Sequence, residues 1–143
     1  MSILGGKTMK YMKERFILCG ILGWCMEIVF TSARCLITKD SRLMGHTSLW
    51  MFPIYGLAAC IYPLNRVLKH FPVWLRGMLY SGGILSVEYA SGMILKRFSC
   101  CPWNYEGSRY NINGVIRLDY APFWAAAGLI FEKILLARSR ETA

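Results

Sequence analysis

Four apolar runs, each parted from the next by short basic or turn-rich stretches, set the pattern of the chain. They fall at residues 16–36, 48–66, 72–95 and 121–138. The first reads FILCGILGWCMEIVFTSARCL. A bilayer core of about 30 Å needs about 20 helical residues at a rise of about 1.5 Å each, so each run is long enough to cross. The pattern predicts an all-α, polytopic membrane helix bundle of about four transmembrane helices with one long structured loop. Residues 1–15 read as a basic cytoplasmic N-terminus, 16–138 as a single transmembrane domain and 139–143 as a short C-terminal tail. Pro53 and Pro63 interrupt the second run, a kink that membrane helices tolerate when neighbours satisfy the freed carbonyls. The first run, at roughly 20 apolar residues, exceeds the roughly 7 to 15 of a cleaved leader and reads as a retained span. A lipoprotein site at Cys19 is disfavoured by the bulky Leu18 before it.

Three carboxylates break the apolar pattern: Glu27, Glu88 and Glu132. Counted from the expected outer ends of their spans, they lie roughly 14, 11 and 16 Å deep, and Tyr55 of the second span lies at about 11 Å. The sequence therefore predicts a polar layer to which all four spans contribute. A charge near the bilayer centre costs at least about 2.5 kcal/mol on insertion scales, so such groups face protein or water. Two roles are open: binding a cation or proton, or hydrogen bonding that only holds helices together. Small residues accompany the glutamates at helical spacing, as in Cys19, Gly23, Glu27 and Thr31, and in Ala121, Ala125, Gly128 and Glu132. Such stripes serve first as packing surfaces.

Composition agrees with a membrane protein. Hydrophobic residues make up 55% of the 143, with five tryptophans, and mean hydropathy is +0.36, too oily for a soluble basic domain of this size. The net charge of +9 is spread in short clusters between apolar runs rather than gathered in one patch, which argues against nucleic acid. With both termini inside, ten of the 17 Lys and Arg fall on the cytoplasmic side. That bias orients the chain in the cell membrane with both termini cytoplasmic.

The long loop, FSCCPWNYEGSRYNINGVIRLDYAPFW, carries Trp103, Asn104, Tyr105, Asn111, Asn113 and Gly114. Its aromatics suit an interfacial belt, while its asparagines and turn residues suit a fixed cap over the polar layer. His46 and His70 fall on opposite sides of the expected membrane, and the six cysteines show no CxxC spacing, so no metal ligand set is assigned. No catalytic or cofactor-binding residue is assigned either. A phosphate loop is missing, since Gly6-Lys7-Thr8 has Met1 where the first glycine of GxxxxGK[ST] belongs.

The succession GWCMEIVFTSA, FPIYG, SVEYASGMILKRF and CPWNYEGSRYNINGVIRL resembles the CmpB-type family of ABC-transporter type IV integral membrane proteins, and the related small animal multi-pass transmembrane proteins. The resemblance runs from about Gly20 to Lys133. The family pattern carries over at Gly23, Glu27, Pro53, Tyr55, Gly56, Glu88, Trp103, Tyr105, Asn111, Asn113 and Gly114, and Glu132 agrees with the animal branch. Two positions depart from it: the family's Trp-Asp-Tyr is Trp103-Asn104-Tyr105, and the arginine that follows its Asn-Gly pair is Val115.

The resemblance implies a transporter or permease-like subunit whose ATPase is a separate chain. The intramembrane glutamate layer, with Tyr55, is its candidate ion-binding core. The alternatives are a non-transporting membrane scaffold or regulator and, third, a lipid-acting membrane enzyme, for which no nucleophile or substrate pocket is marked. The partners implied are the lipid bilayer, further copies of the chain and an ATPase subunit; nucleic acid is not among them.

Overall fold

A computed structural model describes residues 2–141, with side chains from Gly5 onward. Its contacts divide the chain into two compact units, Met1–Ala59 and Cys60–Ala143.

The first unit is built on α1 (Ser2–Ile37). The basic N-terminal segment is thus helical, and α1, at 36 residues, is about 54 Å long by its rise. It ends in a Schellman motif: Lys39 takes φ 56°, while the Lys39 and Asp40 amides donate back to the Leu36 and Cys35 carbonyls at 3.3 and 2.9 Å. These bonds satisfy carbonyls that the helix leaves without partners. The chain then doubles back. The Trp24 indole donates to the Ser48 carbonyl at 2.9 Å, the His46 amide donates to the Thr31 hydroxyl at 2.9 Å, and Gly45 fits against Ile28 and Ser32.

Helix α2 (Met51–Gly56) continues along α1 as a set of bumps and hollows. Phe52 lies over Gly20, Tyr55 over Gly23, and Phe16 of α1 over Gly56. The small-residue stripe is therefore the packing face of α1, and Cys19 within it is fully buried. Beyond α2 the helical course resets through a 3-10 turn, Leu57–Cys60, before α3 (Ile61–Leu68). The expected second span is thus broken in three. The reason is local: Pro63 has no N–H to donate to the Ala59 carbonyl four residues back.

The second unit packs α3, α4 (Val73–Arg97) and α5 (Ala121–Glu141). Helices α4 and α5 run antiparallel: Arg76 meets Glu132, Gly128 receives Tyr80, and the Ser81 hydroxyl donates to the Ala121 carbonyl at 2.8 Å. The core between them holds Tyr80, Ala127, Phe131 and Leu135. Helix α3 lies against α5, where the Tyr62 and Ser139 hydroxyls pair at 2.8 Å. Helix α4 ends as α1 does: Ser99 has φ 57°, and the Cys100 amide reaches the Leu95 carbonyl at 2.9 Å. A small hairpin, β1 (Asn111–Ile112) and β2 (Ile116–Arg117), precedes α5, with Asn111 opposite Arg117 and Ile112 opposite Ile116.

Four polar residues share the interior with the apolar core, while many large apolar side chains lie outside. Asn65, Ser81, Glu88 and Glu132 are buried, whereas Val73, Trp74, Met78 and Ile94 of α4 and Ile130 of α5 are exposed. Water favours the opposite arrangement. Among the described residues, two stretches are helical, long and apolar enough to cross a membrane, Gly5–Ile37 and Leu118–Glu141.

Gly23 tests the packing of the first unit. On helix propensity alone Gly23→Ala should stabilise by about 1 kcal/mol. A Cβ there meets the Cβ and Cγ of Tyr55, the inflexible root of the side chain, and overpacking of this kind costs about 1 to 3 kcal/mol. We expect Gly23→Ala to lower the thermal midpoint in detergent, while Gly5→Ala, whose new methyl meets nothing within 4 Å, leaves it unchanged or raises it. A stabilised Gly23→Ala protein would show that α2 does not pack on α1 in this way.

Candidate functional site

The three glutamates have three different environments. Glu132 is buried where α3, α4 and α5 meet. The Asn65 amide donates to its Oε1 at 2.5 Å, and the Arg76 Nε lies 3.2 Å from Oε1 and 3.3 Å from Oε2. Arg76 also donates through Nη1 to the Phe71 carbonyl at 2.9 Å, and Tyr80 stands beside Asn65 and Glu132. Carboxylate and guanidinium are 6% and 18% exposed, so the pair is an internal one whose charges neutralise each other. Losing one member of such a pair leaves an uncompensated buried charge.

Glu88 lies further along α4, past its midpoint. The Tyr105 hydroxyl donates to its Oε1 at 3.2 Å. Twelve residues of α4 separate Glu88 from Arg76, about 18 Å along the axis. Since Arg76 is held on Glu132, the two carboxylates of this unit sit at opposite ends of the α4–α5 pair and do not meet. The shared depth expected for them is not kept. The cause is the offset between the helices: Glu132 pairs with Arg76 in the first turn of α4, so the start of α5 lies beside Ser81 and not beside the far end of α4.

In the first unit Glu27 accepts a hydrogen bond from the Thr47 hydroxyl at 2.7 Å. Tyr55 rests on Gly23, one turn of α1 away from Glu27. Asn65, Arg76 and Thr47, the partners of these carboxylates, were not singled out by the sequence. Arg76 had a signal: it falls four residues after Pro72, which serves as the N-cap of α4, and so lies inside the helix.

The loop residues come together as a cap. Trp103 donates from its indole to the Val115 carbonyl at 2.8 Å, and the Tyr105 amide donates to the Gly114 carbonyl at 2.8 Å. Asn111 accepts from the Gly114 amide at 3.0 Å and donates to the Ser108 carbonyl. Asn113 and Gly114 both have positive φ, 52° and 70°, which suits the Asn-Gly corner of a tight hairpin. Val115 and Trp103 close on Gly92, where a Cβ would stand 2.8 Å from that of Val115. Asn113 itself is exposed and donates to the Tyr89 hydroxyl at 2.9 Å, so its value lies in its backbone conformation and not in a buried partner.

Two ion pairs border the cap. Arg117 forks onto Asp119 and covers the Tyr120 ring at 4.3 Å. Lys96 meets Glu106 at 2.7 Å and donates to the Asn113 carbonyl at 3.1 Å. Hydrogen bonds from Lys96 and then Asn104 hold the Glu106 carboxyl below the usual carboxylate range. Whatever this pair adds to the loop is therefore present above that range and is lost as pH falls through the depressed value. Among the described residues no group of three or more His, Cys, Asp or Glu is placed to hold a metal.

The bond from Tyr105 to Glu88 joins cap to helix. Tyr105→Phe removes the donor and leaves a buried carboxyl oxygen poorer by one bond, a loss of about 1 to 3 kcal/mol. Glu88→Gln retains an acceptor for Tyr105 and should cost less. Thermal denaturation in detergent of the two variants should rank Tyr105→Phe as the less stable; the reverse order would detach Tyr105 from the stability of the cap.

No solved structure matches the chain. The family model described as "Putative ABC-transporter type IV" matches residues 15–142, taking in both units, the glutamates and the whole of the cap. This protein is a member of that ABC-transporter type IV family, named for CmpB.

Proposed function

We propose that the chain is the membrane-embedded, permease-like subunit of a transport system whose nucleotide hydrolysis resides in a separate protein. The observation that carries the reading is the array of exposed large apolar side chains, beside buried Glu88, Glu132 and Asn65, in a member of a transporter family. In this reading the chain crosses the bilayer four times, through α1, the broken α2–α3 segment, α4 and α5. Both termini are cytoplasmic and the tryptophan-rich cap is outside. The sequence contains no GxxxxGK[ST] phosphate loop, which supports a separate chain as the ATPase.

The three carboxylates divide the work. Glu132, neutralised by Arg76, ties the helices together. Glu88 and Glu27 receive hydroxyl donors from Tyr105 and Thr47, groups that can also accept, and so retain the capacity to take up a proton or a cation. A scaffold or regulatory role is the second reading. It is favoured by the short α3–α4 connection, residues 69–72, which leaves little cytoplasmic helix for coupling to an ATPase.

Two measurements test the proposal. Gly107 is exposed and a side chain there meets nothing within 4 Å; Gly107→Cys in a cysteine-free background should react with an impermeant thiol reagent on intact cells. Labelling only after permeabilisation would invert the topology. Purified in mild detergent, the tagged chain should bring down a nucleotide-binding subunit in fixed stoichiometry. Recovery with only itself and lipid would replace the permease reading by the scaffold.

A further inference from the structure

The cap encloses, beside the last turn of α4, an open groove of about 460 Å³ lined by Met93, Lys96, Glu106, Asn111, Asn113 and Gly114. We propose that this groove binds the headgroup of an aminoethyl phospholipid of the phosphatidylethanolamine type, with the phosphate on Lys96 and the primary ammonium on Glu106. The proposal rests on the membrane reading above for the position of the groove at the bilayer surface.

The first support is that both charges are fixed before any ligand arrives. Lys96 is tethered to the Asn113 carbonyl at 3.1 Å, a carbonyl whose direction is set by the left-handed Asn113–Gly114 corner. The Glu106 backbone is held by its amide, which donates to the Asn104 side chain at 2.9 Å, and its carboxylate accepts from that same side chain at 3.5 Å. A site whose charged groups are already positioned loses less freedom on binding. The second support is that the two charges face each other at 2.7 Å and remain 47% and 60% exposed. An exposed ion pair contributes little, so opening it costs little, and a ligand that carries both signs gives each side chain a new partner.

The third support is the shape of the wall. Within one turn of α4 it passes from Lys96 to Met93 and the neighbouring Ile94, 40% and 59% exposed. A small water-soluble zwitterion has no use for that apolar flank, whereas a phospholipid lays its glycerol and acyl chains along it. The chemistry also sets the preference among lipids. A primary ammonium can donate hydrogen bonds to Glu106 and a quaternary one cannot. A phosphatidylglycerol headgroup would offer Glu106 only neutral hydroxyls and no positive charge to match its own. Choline recognition normally uses an aromatic cage, and among the described residues no aromatic side chain lines this groove.

The full chain, extracted in mild detergent and shown to remain in carbonate-washed membranes beforehand, should be titrated with short-chain phosphatidylethanolamine, phosphatidylcholine and phosphatidylglycerol and followed by native mass spectrometry. We expect the ethanolamine lipid to be retained about tenfold more tightly than the choline lipid. Glu106→Gln should abolish that ratio, Lys96→Gln should weaken all three lipids, and Lys96→Arg should preserve the ranking. Arg109→Gln, outside the groove, should behave as the parent protein. If Glu106→Gln does not fold, Glu106→Asp, with its carboxylate drawn back, should still reduce the ratio. Equal retention of the ethanolamine and choline lipids, or an unchanged ratio in the Glu106 variants, overturns the proposal. Saturation by soluble glycerophosphoethanolamine as tightly as by the lipid would assign the groove to a free solute and overturn the lipid assignment. Loss of the chain on carbonate washing would instead strike the membrane reading itself.

Discussion

A carboxylate and a guanidinium buried together at the junction of three helices fix the register of the second unit. Glu132 must have Arg76, because a charge of either sign left alone in that interior costs about 3 to 5 kcal/mol when its partner is removed. Once the two are joined, with Asn65 supplying a further bond, α4 and α5 can slide no further. Gly128 then lies under Tyr80, and Ser81 reaches the Ala121 carbonyl at the start of α5. Ala121 is eleven residues from Glu132, about 16.5 Å, and Glu88 is twelve residues from Arg76, about 18 Å. Glu88 therefore falls at or just past the end of α5, within reach of the loop that precedes that helix. The cap supplies a partner there, in Tyr105. The buried ion pair thus sets which part of the chain meets Glu88.

The cap in turn shows how two departures from the family pattern are absorbed. The position that resembles the family's arginine is Val115, and it is 1% exposed, packed on Gly92 and Trp103. A hydrophobic side chain has taken an interior place and no charge is left there to satisfy. Asn104, in place of the family's aspartate, donates weakly to Glu106 at 3.5 Å and receives its amide. An aspartate there would set two carboxylates side by side. Arg117 does not stand in for the missing arginine, being committed to Asp119 and the Tyr120 ring.

Much of this arrangement was legible in the chain. The apolar runs of the first and last helices, the small-residue face of α1 and the Asn-Gly corner each rest on local chemistry that a sequence displays directly. The break at residues 57–60 was half visible, since Pro63 marks it, but whether a kinked helix stays continuous depends on what satisfies the freed carbonyl. What could not be read was the pairing of Glu132. Spacing gives depth along a helix, and three glutamates at similar computed depths suggested one layer. Depth within a helix does not determine the offset between helices, which is set by side-chain contacts such as Arg76 on Glu132 and Tyr80 on Gly128. Arg76 already lies inside the expected run 72–95, but only the contact across to α5 shows it to be the counter-ion of Glu132.

That pairing is open to a direct test by charge reversal. Arg76→Glu and Glu132→Arg each place two like charges in the interior and should abolish or severely lower the cooperative thermal transition in detergent. The double variant restores one charge of each sign across the same contact. A coupling of about 3 kcal/mol between the two positions, seen as a double variant far more stable than either single one, is the result this account predicts. Single variants that melt as the parent does, or a double variant no more stable than the sum of the two losses, would contradict it.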